Sequence, residues 1–445
     1  MTSGIGVQLR PVPGPRRCLV LLYGLSQNGL NHFTIVRKMG LMPRALPAPR
    51  LRLYDRVLQD HFARHRQMAL ISGPRQVGKT TTCRMEGTDY LNWDNGDDRR
   101  VILLGPAAVA ERIQLERLKT PSPIVVFDEL HKDKKWKGFL KGFFDVYGER
   151  TRIMVTGSSR LDVFRRGGDS LMGRYLLYRM HPFSVGEAIR INLPTAVIQP
   201  PSSLNEDEWR ALWEHGGFPE PFLRRDARFT RRWRSLRQDQ LTREDIRDVA
   251  QIETLGLLET LAHILAERSG QQLIYSHLAN EVGIAVDTVR RWIDVLQRLH
   301  YGFVVRPWFT NVSKALRKEP KWFLRDWSGI DDAGQRAETF VACHLLKAVE
   351  GWTDLGLGSF ELRYLRDKLK REVDFLVVRD RKPWFLVEVK TSDTRLSDSL
   401  AHFKHETKAK HAFQAVIEIP FVAVDCFSRT DPVVVPARTL LSQLL

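Results

Sequence analysis

Beyond residue 50 the apolar positions follow two rhythms that alternate along the chain. Short apolar runs at Gln67–Ser72, Tyr90–Trp93, Ile124–Phe127 and Arg152–Val155 are separated by stretches with helical spacing. That alternation predicts an α/β fold, a parallel sheet with helices on both faces. Ile191–Ser203, rich in Pro and Ser, predicts a loop leaving this layer, and helical, arginine-rich sequence continues to about Leu241. Ile252–Arg268 has helical spacing again. After it, His277–Val282 and Val286–Leu299 read as amphipathic helices joined around Gly283, with a strand at Phe303–Pro307. This is the outline of a winged helix-turn-helix. The last stretch opens with a helix around Glu338 and alternates strands, among them Val373–Val378 and Trp384–Lys390. Residues 1–47 mix Pro, Gly and Arg with short apolar pieces and show no sustained period, which predicts a poorly ordered extension. The expected division is therefore 1–47 extension, 48–200 α/β core, 201–251 helical lid or linker, 252–329 winged helix, and 330–445 a second α/β domain.

Length and composition agree with several domains: 445 residues exceed one core, and 43% hydrophobic with 27% charged residues is ordinary for a globular chain. No stretch reaches the roughly 20 apolar residues of a membrane span. Cys18, Cys83, Cys343 and Cys426 lie far apart with no metal-ligand spacing, which suits a reducing, cytoplasmic setting. The formal charge of +17 changes the picture more. Clustered Lys and Arg displace counterions from phosphates, so nucleic acid, DNA before RNA, is the expected partner. The basic residues gather at Lys132, Lys134, Lys135, Lys137 and Lys141, and in Arg224–Arg237.

The sharpest chemistry lies in Gly73-Pro74-Arg75-Gln76-Val77-Gly78-Lys79-Thr80, with Thr81 after it. Its two glycines let a loop curl so that successive N–H groups face phosphate oxygens. Lys79 adds a point charge for the outer phosphates and Thr80 a hydroxyl for Mg²⁺. A helix starting here turns its positive end to the same anion. About 50 residues on, the run Ile124–Phe127 ends in Asp128-Glu129. Asp128 is expected to serve Mg²⁺ through water, and Glu129 to polarise the attacking water. The expected ligands are ATP and Mg²⁺, and the expected reaction is ATP hydrolysis. Ser158, in Thr156-Gly157-Ser158-Ser159, is a candidate contact for the γ-phosphate or the water, with a plain polar turn as the alternative. Arg174 is a candidate arginine finger in cis or, in a homo-oligomer, from a neighbouring subunit; the alternative is a surface arginine.

From Leu51 onward the chain resembles a prokaryotic family of AAA-type ATPases with a C-terminal restriction-endonuclease-like domain. The resemblance rests on GPRQVGKTT (73–81), VFDELHK (126–132), TGSS (156–159), SLMGR (170–174), HPFSVGE (181–187), GGFPEP (216–221), PKWFLRD (320–326) and EVDFLV (372–377). It implies ATP binding, a winged-helix module and a nuclease-like fold. Arg325-Asp326-Trp327 departs from it, since members usually carry an Asp-Thr-Gly turn there, and the extension has no counterpart.

In the last domain Asp374 sits inside an apolar strand, and Glu388 and Lys390 share one face of a second, because side chains two apart point the same way. Asp374 and Glu388 could share a hard divalent ion, with Lys390 orienting water and Glu338 as a further ligand or support. This is the arrangement of PD-(D/E)XK nucleases; the bland alternative is an edge strand with a solvated face. In the winged helix Val289, Ile293 and Leu296 form the apolar stripe, Asp287 or a close neighbour caps the helix, and Arg290 and Arg291 are left for phosphate or base edges. GGFPEP reads best as a packing corner. The functional expectation is an ATP-binding and ATP-hydrolysing AAA-type protein acting on or with DNA. Its alternative is a nucleotide-controlled switch or DNA-binding module whose nuclease-like domain is inactive.

Overall fold

The computed structural model describes residues 50–117, 120–157, 171–240, 255–308 and 319–445, together with three strands nearer the N-terminus. The chain divides into two compact units, Met1–Ala48 and Pro49–Leu445. In the first, β1 (Gly6–Pro11), β2 (Cys18–Ser26) and β3 (Gly29–Asn31) form an antiparallel sheet in that order. The stretch expected to be a poorly ordered extension thus carries three short strands and forms a unit of its own. Antiparallel neighbours pair through local turns, so short segments rich in Leu and Val suffice without a long period.

In the second unit the short apolar runs become strands. They are β4 (Met68–Ser72), β5 (Asp89–Asn92), β6 (Ile124–Asp128), β7 (Arg152–Gly157) and β8 (Tyr175–Arg179). All pair in parallel, in the order β5-β6-β7-β4-β8. Alternate side chains feed two cores. Ala69, Ile71, Val126 and Met154 pack with Leu53 and Leu58 of α1 (Leu53–Arg64) and Cys83 of α2 (Lys79–Glu86). Met68, Leu70, Val125, Phe127 and Val155 pack on the other face. Their partners come from α3 (Gly96–Leu104), α4 (Pro106–Arg112) and α5 (Trp136–Tyr147). Burial on both faces explains why the inner strands read as solid apolar runs. β8 escaped that reading: it is an edge strand with four of its five residues half-buried.

A short helix α6 (Val185–Ile189) leads to α7 (Glu206–His215), α8 (Pro219–Arg224) and α9 (Ala227–Gln240). Next come α10 (Leu255–Glu267), α11 (Tyr275–Val282) and α12 (Val286–Arg298), the last two turning through Gly283 at φ +73°. In α12 Val289, Trp292, Ile293 and Leu296 are buried, while Arg290 and Arg291 are exposed; the cap is Ala285. A hairpin of β9 (Gly302–Pro307) and β10 (Lys321–Leu324) comes after them.

That hairpin is also the edge of the second sheet. Arg363 and Tyr364 of β11 (Phe360–Arg366) pair in parallel with Arg306 and Pro307. The sheet continues through β12 (Glu372–Arg379), β13 (Lys382–Lys390), β14 (His411–Val416) and β15 (Val433–Pro436), giving seven strands of mixed direction. The division expected at 329/330 is thus crossed by one continuous sheet, because backbone pairing with β11 ties the hairpin to the C-terminal strands. α13 (Ala333–Asp354) covers one face, α14 (Asp398–Thr407) the other, and α15 (Ala437–Ser442) closes the fold. The core under α13 is continuous with that under α1, so both sheets share apolar packing.

Candidate functional site

Three residues give the loop after β4 its curl: Gly73 at φ +153°, Gln76 at +61° and Gly78 at +104°. Gly73 has no room for a side chain, since an added Cβ would lie 2.3 Å from the Met180 carbonyl oxygen. Lys79 opens α2 and is buried; its Nζ donates to the carbonyls of Gly73 and Pro74, each at 2.8 Å. Burial lowers its pKa to about 8, even though Glu129 and Asp128 pull the other way. The ammonium therefore sits in its own loop at a helix start, held by carbonyl dipoles.

Asp128 ends β6 and is gripped from three elements. Thr80 donates to Oδ2 at 3.1 Å, Thr156 of β7 donates to Oδ1 at 2.8 Å, and the Tyr90 hydroxyl also donates to Oδ2. A hydroxyl and a carboxylate meeting at the helix start form a hard-oxygen donor set that fits Mg²⁺. Glu129 sits at φ +55°, and its Oε2 is buried without a hydrogen-bond partner; His131 Nε2 and Lys132 Nζ stand 3.7 and 3.8 Å away. Burial raises its carboxyl pKa. Thr156 thus holds Asp128, a role unlike the phosphate contact expected of its segment, while Ser158 lies outside the described residues. Arg75 lines a cleft of about 630 Å³ shared with Arg231, Arg234, Tyr301, Asp326 and Asp332.

Arg174 lies at the other end of the sheet. It immediately precedes β8, whose Tyr175 registers with Met68 and Arg179 with Ser72, and its carbonyl accepts from Met68 N at 2.8 Å. It is therefore about 13 Å of strand from the start of its own loop. Its guanidinium pairs with Asp145 at 2.7 Å. The reading of a finger in cis is corrected by this position, because parallel strands put the start of β8 at the edge away from the loop.

Sequence reasoning missed a buried ionic network behind the loop. Arg52 donates to the Val77 carbonyl at 2.6 Å, to the His181 carbonyl at 2.7 Å and to Glu187 at 2.7 Å; Glu187 also pairs with Lys347 of α13. Against the cost of burial, Arg52 and Lys347 hold Glu187 down to about 2. Beside it His181 pairs with Glu350 at 2.8 Å, and its Nδ1 faces Arg325 at 3.2 Å. Gly217 abuts the Phe183 carbonyl and the Trp327 ring, and Trp327 Nε1 donates to the Leu212 carbonyl at 2.7 Å. HPFSVGE, GGFPEP and the RDW departure are thus one packing node between the two sheets, and GGFPEP is the corner expected.

The second constellation does come together. Lys390 Nζ donates to Glu388 Oε1 at 2.9 Å, as neighbours on one face, and Asp374 Oδ2 accepts from Val389 N at 2.9 Å. Glu338 approaches from α13. Among these acids lies a residue that sequence reasoning passed over: Lys321 of β10, whose Nζ is 2.5 Å from Glu372, 2.8 Å from Glu338 and 3.4 Å from Asp374. Burial, then Asp374, raises Glu338 to about 8 and Glu388 to about 7. For Lys321 burial acts downward, but Glu338, Asp374 and Glu372 outweigh it and raise the pKa. Among the described residues no group of three or more His, Cys, Asp or Glu is arranged to hold a metal ion. PKWFLRD, with a lysine directly before apolar residues, was the available signal.

Of the basic stretches, Lys132 pairs with Asp94 at 2.6 Å, while Lys134, Lys135 and Lys141 are exposed. In α9 Arg237 stacks 3.9 Å over the Phe218 ring. Among the described residues no helix is long and apolar enough to cross a membrane.

Comparison with known proteins divides the chain in three. Residues 206–330 match a domain of unknown function (DUF8612), and 333–423 match another (DUF4143). Uncharacterized proteins of Mycobacterium bovis and Mycobacterium tuberculosis are each 26% identical over 346 residues, spanning 75% of this chain and 72% of theirs. One from Methanocaldococcus jannaschii is 24% identical over 58% of this chain and 60% of its own. The structure of the Aeropyrum pernix ORC1 protein in complex with DNA aligns at 13% identity, over 62% of this chain and 86% of that one. Its TM-score of 0.28 carries no weight for fold or function. Residues 65–189, which contain the loop, Asp128 and Glu129, match the AAA domain, and the chain therefore carries an ATP-binding P-loop domain of the AAA type.

Proposed function

We propose that the protein hydrolyses ATP and acts with DNA, the P-loop domain driving a winged-helix module and a nuclease-like domain. The observation that carries this reading is the meeting of Lys79, Thr80, Asp128 and Glu129 at the start of α2. Residues 73–81 would hold the phosphates, with Lys79 moving from carbonyl to phosphate oxygens. The cleft beside Arg75 has room for base and ribose. Thr80 and Asp128 would hold Mg²⁺, which supplies charge neutralisation on the phosphates. Glu129, half-buried with its Oε2 buried and unpartnered, is the base for the attacking water. Arg174 serves a neighbouring copy, which makes the active form a homo-oligomer. α7–α9 act as a lid, and Arg290 and Arg291 offer α12 to DNA phosphates. The test is ATP binding by calorimetry together with turnover. Lys79→Ala should lose most affinity, and Glu129→Gln should bind normally while turning over about 100-fold more slowly. Undiminished binding by Lys79→Ala sinks the assignment.

A second reading, a nucleotide-controlled DNA-binding switch with an inactive nuclease-like domain, is favoured by the position of Lys321. If DNA stimulates ATP turnover while Asp374→Ala and wild type leave DNA uncut alike, that reading prevails.

A further inference from the structure

We propose that Lys321 is a built-in competitor for the cation at the C-terminal carboxylate cluster, its ammonium standing where a divalent ion would otherwise bind. This rests on reading Asp374 and Glu388 as cation-seeking groups, and adds the identity of the occupant. The Lys321 side chain is 4% exposed and its Nζ contacts Glu338, Glu372 and Asp374. The ammonium lies 5.7 Å from the centre of the Tyr364 ring, so an aromatic face closes one side. The three acids come from α13 and β12, and the cation from the hairpin that β9 attaches to β11.

Charge decides which cation can stay. A divalent ion needs the same oxygens, and at about 3–4 Å from an ammonium in a poorly hydrated site the repulsion far exceeds its value in water. The two cannot share the cluster, so an entering ion must first displace Lys321. A vacant requirement remains next to it: Glu388 is 7% exposed, its Oε2 has no hydrogen-bond partner, and the Asp374 and Lys321 charges both act on it. Lys390 satisfies Oε1 alone. One carboxylate oxygen beside the cluster is thus left unpartnered, while the seat among Glu338, Glu372 and Asp374 is filled by the chain itself.

The experiment titrates Mn²⁺ into nucleotide-free, full-length protein, with free Mn²⁺ monitored by electron paramagnetic resonance. Wild type is compared with Asp374→Asn, and Lys321→Met and Lys321→Gln each with and without Asp374→Asn. Wild type should show no Mn²⁺ binding that depends on Asp374. Both Lys321 variants should gain one site at least about 100-fold tighter, lost again on adding Asp374→Asn. Asp374-dependent binding by wild type as tight as in the Lys321 variants overturns the role of Lys321 and leaves the cation-site reading standing. Folded Lys321 variants without a gained site overturn both. Should neither variant fold, Asp374-dependent Mn²⁺ binding by wild type still overturns the role of Lys321.

Discussion

Lys79 and Lys321 are both buried beside carboxylates, at 7% and 3% exposure, yet they are held in opposite ways. Lys79 hydrogen-bonds to carbonyls of its own loop, and burial brings its pKa down to about 8. Lys321 touches three carboxylates, which raise its pKa against the pull of burial. Burying a charge is costly until an opposite charge compensates it. The first site is under-compensated and gains free energy by taking in an anion. The second already holds its counter-charge and has little to gain from any ligand. One residue type is therefore proposed as a receptor at the start of α2 and as a plug in the second sheet.

The largest effect that could break this comparison is in nucleotide-free stability. Lys321→Met removes the cation from a buried cluster and should cost about 3–5 kcal/mol, the range for breaking a buried ion pair. Lys79→Met removes a charge held by dipoles, so lost hydrogen bonds and relieved desolvation should nearly cancel, within about 1 kcal/mol. Urea unfolding of both variants at pH 7 checks the contrast. Equal losses would mean that compensation does not separate the sites.

How much of this was legible in the sequence depends on how local each feature is. The loop at 73–81 is a run of consecutive residues whose proposed role depends on a backbone shape, so GPRQVGKTT carries it whole. Asp128 and Glu129 stand at the end of a solid apolar run, the visible trace of a strand covered on both faces. Asp374, Glu388 and Lys390 could be placed by strand alternation. Lys321 could not, because it meets Asp374 across 53 positions, through strand pairings that no single segment encodes. The Arg52–Glu187–Lys347 network joins segments 135 and 160 positions apart and was equally invisible. Arg174 shows the complementary limit: its motif gave a residue type, and only the register of β8 on β4 gave its distance from the loop.

A smaller effect, in pH dependence, sharpens the contrast. The Lys79 pKa lies below the usual lysine value, at about 8, so the ammonium is present below pH 8 and lost above it. Nucleotide affinity should be flat from about pH 6.5 to 7.5, then fall by up to about tenfold per unit above 8. Because an anion favours the charged form, binding near pH 8 should take up protons, which calorimetry in buffers of different ionisation enthalpy would detect. Lys79→Arg stays charged throughout and should flatten the profile whatever its absolute affinity. A wild-type profile flat to about pH 9.5 would contradict the under-compensated state of Lys79.

The smallest expected effect tests whether burial, rather than the mere presence of an ion pair, distinguishes Lys321. Lys390 belongs to the same constellation and pairs with Glu388 at 2.9 Å, but its side chain is 35% exposed where that of Lys321 is 4%. Water screens the Lys390 pair and can replace it, so Lys390→Met should cost about 1 kcal/mol or less. Raising the salt from about 0.1 to 1 M should remove most of that small difference, since screening reaches exposed pairs first. The Lys321→Met loss should persist under the same salt, because its partners sit around an ammonium that ions in solution do not reach. Urea midpoints of the two variants at both salt concentrations measure this. If Lys390→Met were as damaging as Lys321→Met, the acids would be acting as one shared network, and no single lysine could be named as the occupant of the cluster.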